Sequence, residues 1–227
     1  MLLRSAVTSI LALTLSLSTL ACNAQSETQH GPIPPPQTDA PLATSPGHAT
    51  AVFAGGCFWG TQAVFERVKG VLKTTAGYSG GSASTAHYDD VTTETTGHAE
   101  SVEVVYDPSR LTYGQLLRVF FTIHDPTTLN RQGPDVGTSY RSAIFFSTPE
   151  QQRIATAYIA QLDAANAWPH RIVTQVVPLK GFYRAEDYHQ DFALKNPNNS
   201  YIQVCDRPKI TTLQTDYPDL YVPYHGH

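Results

Sequence analysis

Methionine is almost absent from this chain. Of 227 residues the single methionine is Met1, so the rest of the protein offers no thioether that an oxidant could convert to sulfoxide. Cysteine is scarce as well, at three residues, and each thiol therefore needs its own account. Charge is thin and slightly negative, with 15% charged residues and a formal net charge of -4 at pH 7. Such a surface carries no electrostatic footprint for nucleic acid or another polyanion. The nine histidines include His87, His98, His124 and His189, none at a Cys/His cluster spacing, so no metal is expected. Repeats and low-complexity breaks are missing from the main body of the sequence, and a hydrophobic fraction of 41% excludes disorder throughout. One medium-sized globular domain fits these limits.

The two ends read differently. "MLLRSAVTSILALTLSLSTLAC" carries one positive charge, Arg4, ahead of an apolar run from Val7 to Leu20 diluted by Ser and Thr. The run is short and polar for a bilayer span, so residues 1–21 read as an export signal and the protein as periplasmic or in the cell envelope. Ser18-Thr19-Leu20-Ala21-Cys22 is similar to a lipobox, in which Cys22 would be acylated and tie the chain to a membrane by lipid; plain cleavage near Ala21 or Ala24 is the alternative. Removing the leader takes Arg4 from the 15 basic residues and leaves 14 against 19 acidic ones. Residues 22–48, rich in Pro, Gln, Ser and Thr, bury too little to offset their ordering entropy and are expected to form a disordered tether. A compact domain is expected over 49–212, followed by a Tyr- and Pro-rich tail over 213–227.

Within the domain, strand and helix signals alternate. Ala51 to Ala54 is a short apolar run, and Phe58, Thr61, Val64, Phe65 and Val68 then recur at helical spacing. A strand is expected through "VLKTTAGY" and another through "AESVEVVYDP", whose Val102, Val104 and Tyr106 share one face. Thr112 with Gln115 three residues on forms a capping-box pattern, and Leu116, Phe120 and Ile123 make the stripe of the helix it opens. "RSAIFF" reads as a strand, Thr148-Pro149 as a helix start, "RIVTQVVPL" as the last clear strand and "AEDYHQDFALK" as a short helix. The order predicts an α+β fold, a two-layer sandwich with helices mainly on one face of a mixed sheet.

Two side chains carry the chemical interest. Gly55 and Gly56 let the chain turn sharply out of its strand, which sets Cys57 at the start of a helix. The free N–H groups and dipole there favour an anion by roughly 0.3 to 2 kcal/mol, which moves a thiol toward ionisation without completing it at neutral pH. Cys57 is therefore either a nucleophile that needs a second activating group or a buried structural cysteine. Glu100 shares parity with Val102, Val104 and Tyr106, so a strand starting at 99 or 100 turns this carboxyl to the apolar face, where desolvation would let it hold a proton. If alternation begins later, Glu100 is simply solvated. The long polar stretch "HDPTTLNRQGPDVGTSY" has the length of a functional loop, with Asp135 and Tyr140 as its most useful side chains.

Taken together, "GCFWG" at 56–60, "GYSGG" at 77–81, "GHAE" at 97–100, "VYDP" at 105–108, "HDPT" at 124–127, "GTSYRSAIF" at 137–145 and "AEDYHQDF" at 185–192 resemble the A-type peptide methionine sulfoxide reductases. The resemblance implies a ferredoxin-like α+β fold, a monomer, and reduction of the S epimer of methionine sulfoxide, free or in peptides and proteins. It implies Cys57 as nucleophile, Glu100 as proton donor, Tyr78 and Tyr140 as hydrogen-bond donors to the sulfoxide oxygen, Phe58 and Trp59 as the seat of the methyl group, and Asp135 and His189 as further pocket residues. No cofactor is implied; electrons come from an external thiol such as a thioredoxin-like donor or dithiothreitol. Cys205 is either the resolving cysteine or incidental. Two other readings stay open: a Cys-dependent hydrolase, which needs a histidine on Cys57, and an inactive tethered binding module.

Overall fold

The computed structural model describes residues 32–224; the expected signal over 1–21, Cys22 and the final residues lie outside them. The elements run β1 (Ala49–Gly55), α1 (Phe58–Phe65), β2 (Val71–Ser79), α2 (Tyr88–Val91), β3 (Ala99–Tyr106), α3 (Tyr113–Thr122), β4 (Arg131–Gln132), β5 (Asp135–Val136), β6 (Ser142–Phe146), α4 (Pro149–Ala164), β7 (Gln175–Pro178), β8 (Phe182–Arg184), α5 (Phe192–Lys195) and α6 (Arg207–Asp216). The class is α+β with a mixed sheet, in line with the sequence. Thr112 forms the full capping box with Gln115, and Thr148 caps α4 through the backbone N–H of Gln151.

Six strands pair in the order β7-β6-β1-β3-β2-β8, antiparallel throughout except for the parallel pair β6 and β7. The edge strands β7 and β8 are joined by Leu179, Lys180 and Gly181 alone. Four Cα steps reach at most about 15 Å, whereas six strands laid flat separate their edges by roughly 24 Å. The sheet is therefore curled. Small residues line its inner face, Ala54, Ala99 and Ala143 beside Val52 and Phe145, with Leu179 and Phe182 closing over them. The main core lies on the opposite face, where Phe53, Val102, Val104 and Ile144 meet Phe65, Phe120 and Ile154 of the helices.

α1 is buried on every side; seven of its eight residues are inaccessible. It packs on β2 and β3 and is covered from outside by α5 and α6, the arrangement that a helix apolar all round requires. The cysteine at its start thus sits deep in the molecule.

Three expectations need correction. Residues 32–48 are docked against the domain, in contrast to the disordered tether expected over 22–48. Ile33 is buried, Arg118 donates to its carbonyl at 2.7 Å, Tyr158 donates to the carbonyl of Pro34 at 2.6 Å, and Asp39 accepts from Gly114 N–H and the Thr112 hydroxyl at the start of α3. A proline-rich segment still offers carbonyls, and the donors that fill them come from helices far along the chain. Nor does a tail begin at 213: α6 runs through it to Asp216, Tyr217 is buried, and Tyr221 bridges to Val68. Finally, "AEDYHQDFALK" is broken by Asp191 in the left-handed region, at φ 54°, into a 3-10 turn over Asp187–His189 and α5.

Candidate active site

Gly56, at φ 88°, makes the turn between β1 and α1, and the Gln132 side chain fills the space where a Cβ would stand. Cys57 takes the N-cap position of α1 and is buried. Its sulfur accepts the backbone N–H of Trp59, but burial, then the nearby Glu100 and Asp206 carboxylates, hold the thiol well above its ordinary pKa. The expected bias toward thiolate is therefore reversed at rest, because one amide bond is smaller than the desolvation of a sulfur anion.

Glu100 lies on the helix-facing side of β3, as its parity predicts, and is 4% exposed. Its Oε2 accepts the N–H of Phe58 at 2.9 Å, which fixes the carboxyl beside Cys57 and leaves Oε1 as the oxygen able to carry a proton. Burial pushes Glu100 up to about 8 against the opposing pull of that amide. A buried thiol and a buried carboxylic acid thus share one corner of the molecule at neutral pH.

The walls are aromatic. Phe58 is buried, with its ring 5.0 Å from that of His189. Trp59 stacks on Phe192 at 3.7 Å and donates its indole N–H to Nδ1 of His189 at 3.1 Å. That bond sets the His189 tautomer, with its proton on Nε2. Asp135 on β5 accepts from the hydroxyl of Tyr201, and burial raises its pKa. Tyr140 ends a 3-10 turn over Thr138–Tyr140 and is electrostatically coupled to Glu100 and Cys57. Glu94 ties that turn down: its carboxylate accepts from Ser139 N–H at 2.7 Å and from the Thr138 and Ser139 hydroxyls.

The hydroxyl of Tyr78, which the resemblance makes a donor to the sulfoxide oxygen, is engaged elsewhere in this structure. Tyr78 lies opposite Glu100 in the sheet register, but it is fully buried and its hydroxyl donates to Glu186 at 2.9 Å. The half-buried Tyr88 stands at the start of α2, beside the same site. It packs on His189 at 4.5 Å and interacts with both Glu100 and Cys57. Among the described residues no histidine hydrogen-bonds Cys57: His98 bonds Gly81 and Ser82, His124 bonds Phe120 and Ser142, and His189 bonds Trp59. The geometry gives a Cys-His hydrolase no base.

Comparison with known proteins agrees with this reading. A model of the family "Peptide methionine sulfoxide reductase" matches residues 49–219. The chain belongs to this family. The relative named Peptide methionine sulfoxide reductase MsrA 2 of Mesorhizobium japonicum is 55% identical over 178 residues, covering 78% of this chain and 91% of its own; a protein of the same name from Synechocystis is 51% identical over 190 residues, covering 82% and 89%. Among solved structures, methionine sulfoxide reductase A of Corynebacterium diphtheriae superposes with a TM-score of 0.60 at 36% identity, covering 76% of this chain and 90% of that one. The reduced form of Mxr1 from Saccharomyces cerevisiae gives 0.61 at 33%, covering 72% and 92%.

The fold brings to the site residues that the sequence did not single out. Tyr88 stands in "HYDDV", between the two strands expected through "VLKTTAGY" and "AESVEVVYDP", where no periodic signal marks it. Tyr201, Asp206 and Lys209 come from "SYIQVCDRPKI", whose distance along the chain hides that it covers α1. Cys205 is half-buried, on a π turn over Ile202–Asp206.

Proposed function

We propose that this protein reduces methionine S-sulfoxide, in peptides and proteins or free, to methionine. The observation that carries the reading is the pairing of Cys57 with a Glu100 carboxyl held by the N–H of Phe58 and raised to about 8. A sulfoxide sulfur is a poor electrophile until its oxygen is protonated or strongly hydrogen-bonded. Glu100 supplies the proton from Oε1, and the hydroxyls of Tyr88 and Tyr140 steady the oxygen. Phe58 and Trp59 offer the methyl group an apolar seat, with Asp135 and His189 completing the pocket.

Attack of the Cys57 sulfur on the sulfoxide sulfur, with oxygen passing to Cys57, oxidises the thiol to a sulfenic acid and reduces the sulfoxide to a thioether. An external dithiol, thioredoxin-like in the cell, returns Cys57 to the thiol, and no bound cofactor is needed. Cys205 acts as resolving cysteine, forming a disulfide with Cys57 that the donor opens by exchange. The chain is exported and held at the envelope through lipidated Cys22; mass spectrometry of the mature N-terminus tests this.

Loss of a methionine S-sulfoxide peptide is to be followed with dithiothreitol as donor. Turnover by the wild type and none by Cys57→Ser is expected. A wild type without turnover, or a fully active Cys57→Ser, would overturn the assignment.

A further inference from the structure

The chemistry above needs a thiolate, and the resting site opposes one. Burial, Glu100 and Asp206 all disfavour negative charge on Cys57, and Lys209 is the cation set against them. The Nζ of Lys209 lies 3.1 Å from Oδ1 of Asp206, with the two side chains 12% and 0% exposed. This ion pair sits at the base of α1. A Cβ on Gly60 would stand 2.1 Å from Oδ1 of Asp206 and 2.9 Å from Nζ of Lys209, so the pair occupies the space a side chain would take one helical turn from Cys57. Positions three apart on a helix are surface neighbours, about 5–6 Å between Cβ atoms.

Two further features are unusual. Asp206 closes the π turn over Ile202–Asp206, directly before α6; such extra-residue turns re-aim a side chain and recur at functional sites. Its second oxygen, Oδ2, is buried and has no hydrogen-bond partner among the described residues, an arrangement that costs stability unless it serves something else. Lys209 keeps its charge: burial works against it, but Asp206 and Cys57 more than compensate and raise its pKa.

We infer that the Asp206–Lys209 pair controls the ionisation of Cys57: Lys209 is the cation with which a Cys57 thiolate pairs, and Asp206 is the competing anion that keeps Lys209 occupied at rest. The thiol loses its proton to solvent, the ammonium shifts from carboxylate to sulfur, and Asp206, whose pKa burial raises, takes up a proton, so the net charge of the cluster is unchanged. Other groups lining the site do not replace Lys209. Glu100 from β3 and Asp135 from β5 are acidic, the hydroxyls of Tyr88, Tyr140 and Tyr201 are held neutral by burial first of all, and burial lowers the pKa of His189, which keeps it uncharged. Lys209 and Asp206 act through Cys57 and are positioning residues.

The inference rests on Cys57 as the reacting thiol, and its test uses no sulfoxide. The reduced full-length protein is alkylated with iodoacetamide across a pH series, and peptide mapping by mass spectrometry reads Cys57 separately from Cys22 and Cys205. Removing the cation in Lys209→Met slows Cys57 alkylation near pH 8 about tenfold, a one-unit change in thiol pKa, and Lys209→Arg restores it. Removing the anion in Asp206→Asn accelerates it by a similar factor. Either loss breaks a buried ion pair and destabilises the fold, so a purely structural pair moves both rates in the same direction or neither, which overturns the inference. If Lys209→Met does not fold, Asp206→Asn decides by its sign: faster supports, unchanged or slower refutes. Failure here leaves the sulfoxide assay untouched, and failure of that assay leaves this titration readable.

Discussion

The backbone N–H of Phe58 donates to Oε2 of Glu100 at 2.9 Å, joining the first residue of α1 to the second residue of β3. This one bond aligns the acid with the thiol, because Phe58 directly follows Cys57. It also commits Oε2 as acceptor, so a proton on Glu100 resides on Oε1.

Activity is expected to rise with pH up to about 8, as the Cys57 thiolate fraction grows, and to level off above it, where Glu100 loses its proton. Glu100→Gln keeps the acceptor for Phe58 but cannot donate an acid proton, and should lower kcat by about 10² to 10³. Stability falls as pH rises. Between the unfolded carboxyl value and about 8 the folded state binds more protons than the unfolded one, so Glu100 contributes a destabilisation that grows with pH across that window. Glu100→Gln should therefore melt at a higher temperature than wild type at pH 8 and match it at pH 4; an unchanged difference at both pH values would refute the burial argument.

Three tyrosine variants separate Tyr88 from Tyr78. Tyr88→Phe and Tyr140→Phe should each reduce kcat about tenfold with little loss of stability. Tyr78→Phe should leave kcat nearly unchanged and cost roughly 1 kcal/mol, since it strips a partner from Glu186. Steady-state kinetics beside thermal melts read both effects. A large kcat loss confined to Tyr78→Phe would reverse the assignment.

Glu94 holds a left-handed conformation, φ 64°, that glycine adopts more easily. Its carboxylate compensates by gripping the turn that carries Tyr140. Glu94→Gly should relieve the backbone yet free the turn, raising KM and lowering kcat several-fold while leaving the melting temperature within a few degrees. Kinetics as good as wild type would show that the turn holds itself.

The docked segment ahead of β1 makes a stability prediction without a catalytic one. Ile33→Asp places a charge where Ile33 is 4% exposed and should cost about 2–4 kcal/mol. Denaturant unfolding measures the loss, and activity below the melting temperature should stay within about twofold of wild type.

For Cys205→Ser, one turnover per enzyme should persist while cycling with a thioredoxin-like donor is lost. Rapid-quench and steady-state assays distinguish the two. Unimpaired cycling would mean that the donor reduces Cys57 directly.

Local chemistry by itself determined the strand-to-helix turn at Gly55-Gly56, the caps at Thr112 and Thr148, and the inward parity of Glu100, since each depends on residues within a few positions of one another. The same holds for the family, whose motifs stand in the chain in order. Only the tertiary structure decided that the Tyr78 hydroxyl is taken by Glu186, 108 residues away, while Tyr88 packs on His189. It also decided that residues 32–48 dock, since their carbonyls are met by α3 and α4. Above all, it decided the charge state of Cys57. A helix start favours the anion locally, but burial and the groups that surround the sulfur are set by α6 folding back over α1, and desolvation there exceeds what one helix end supplies.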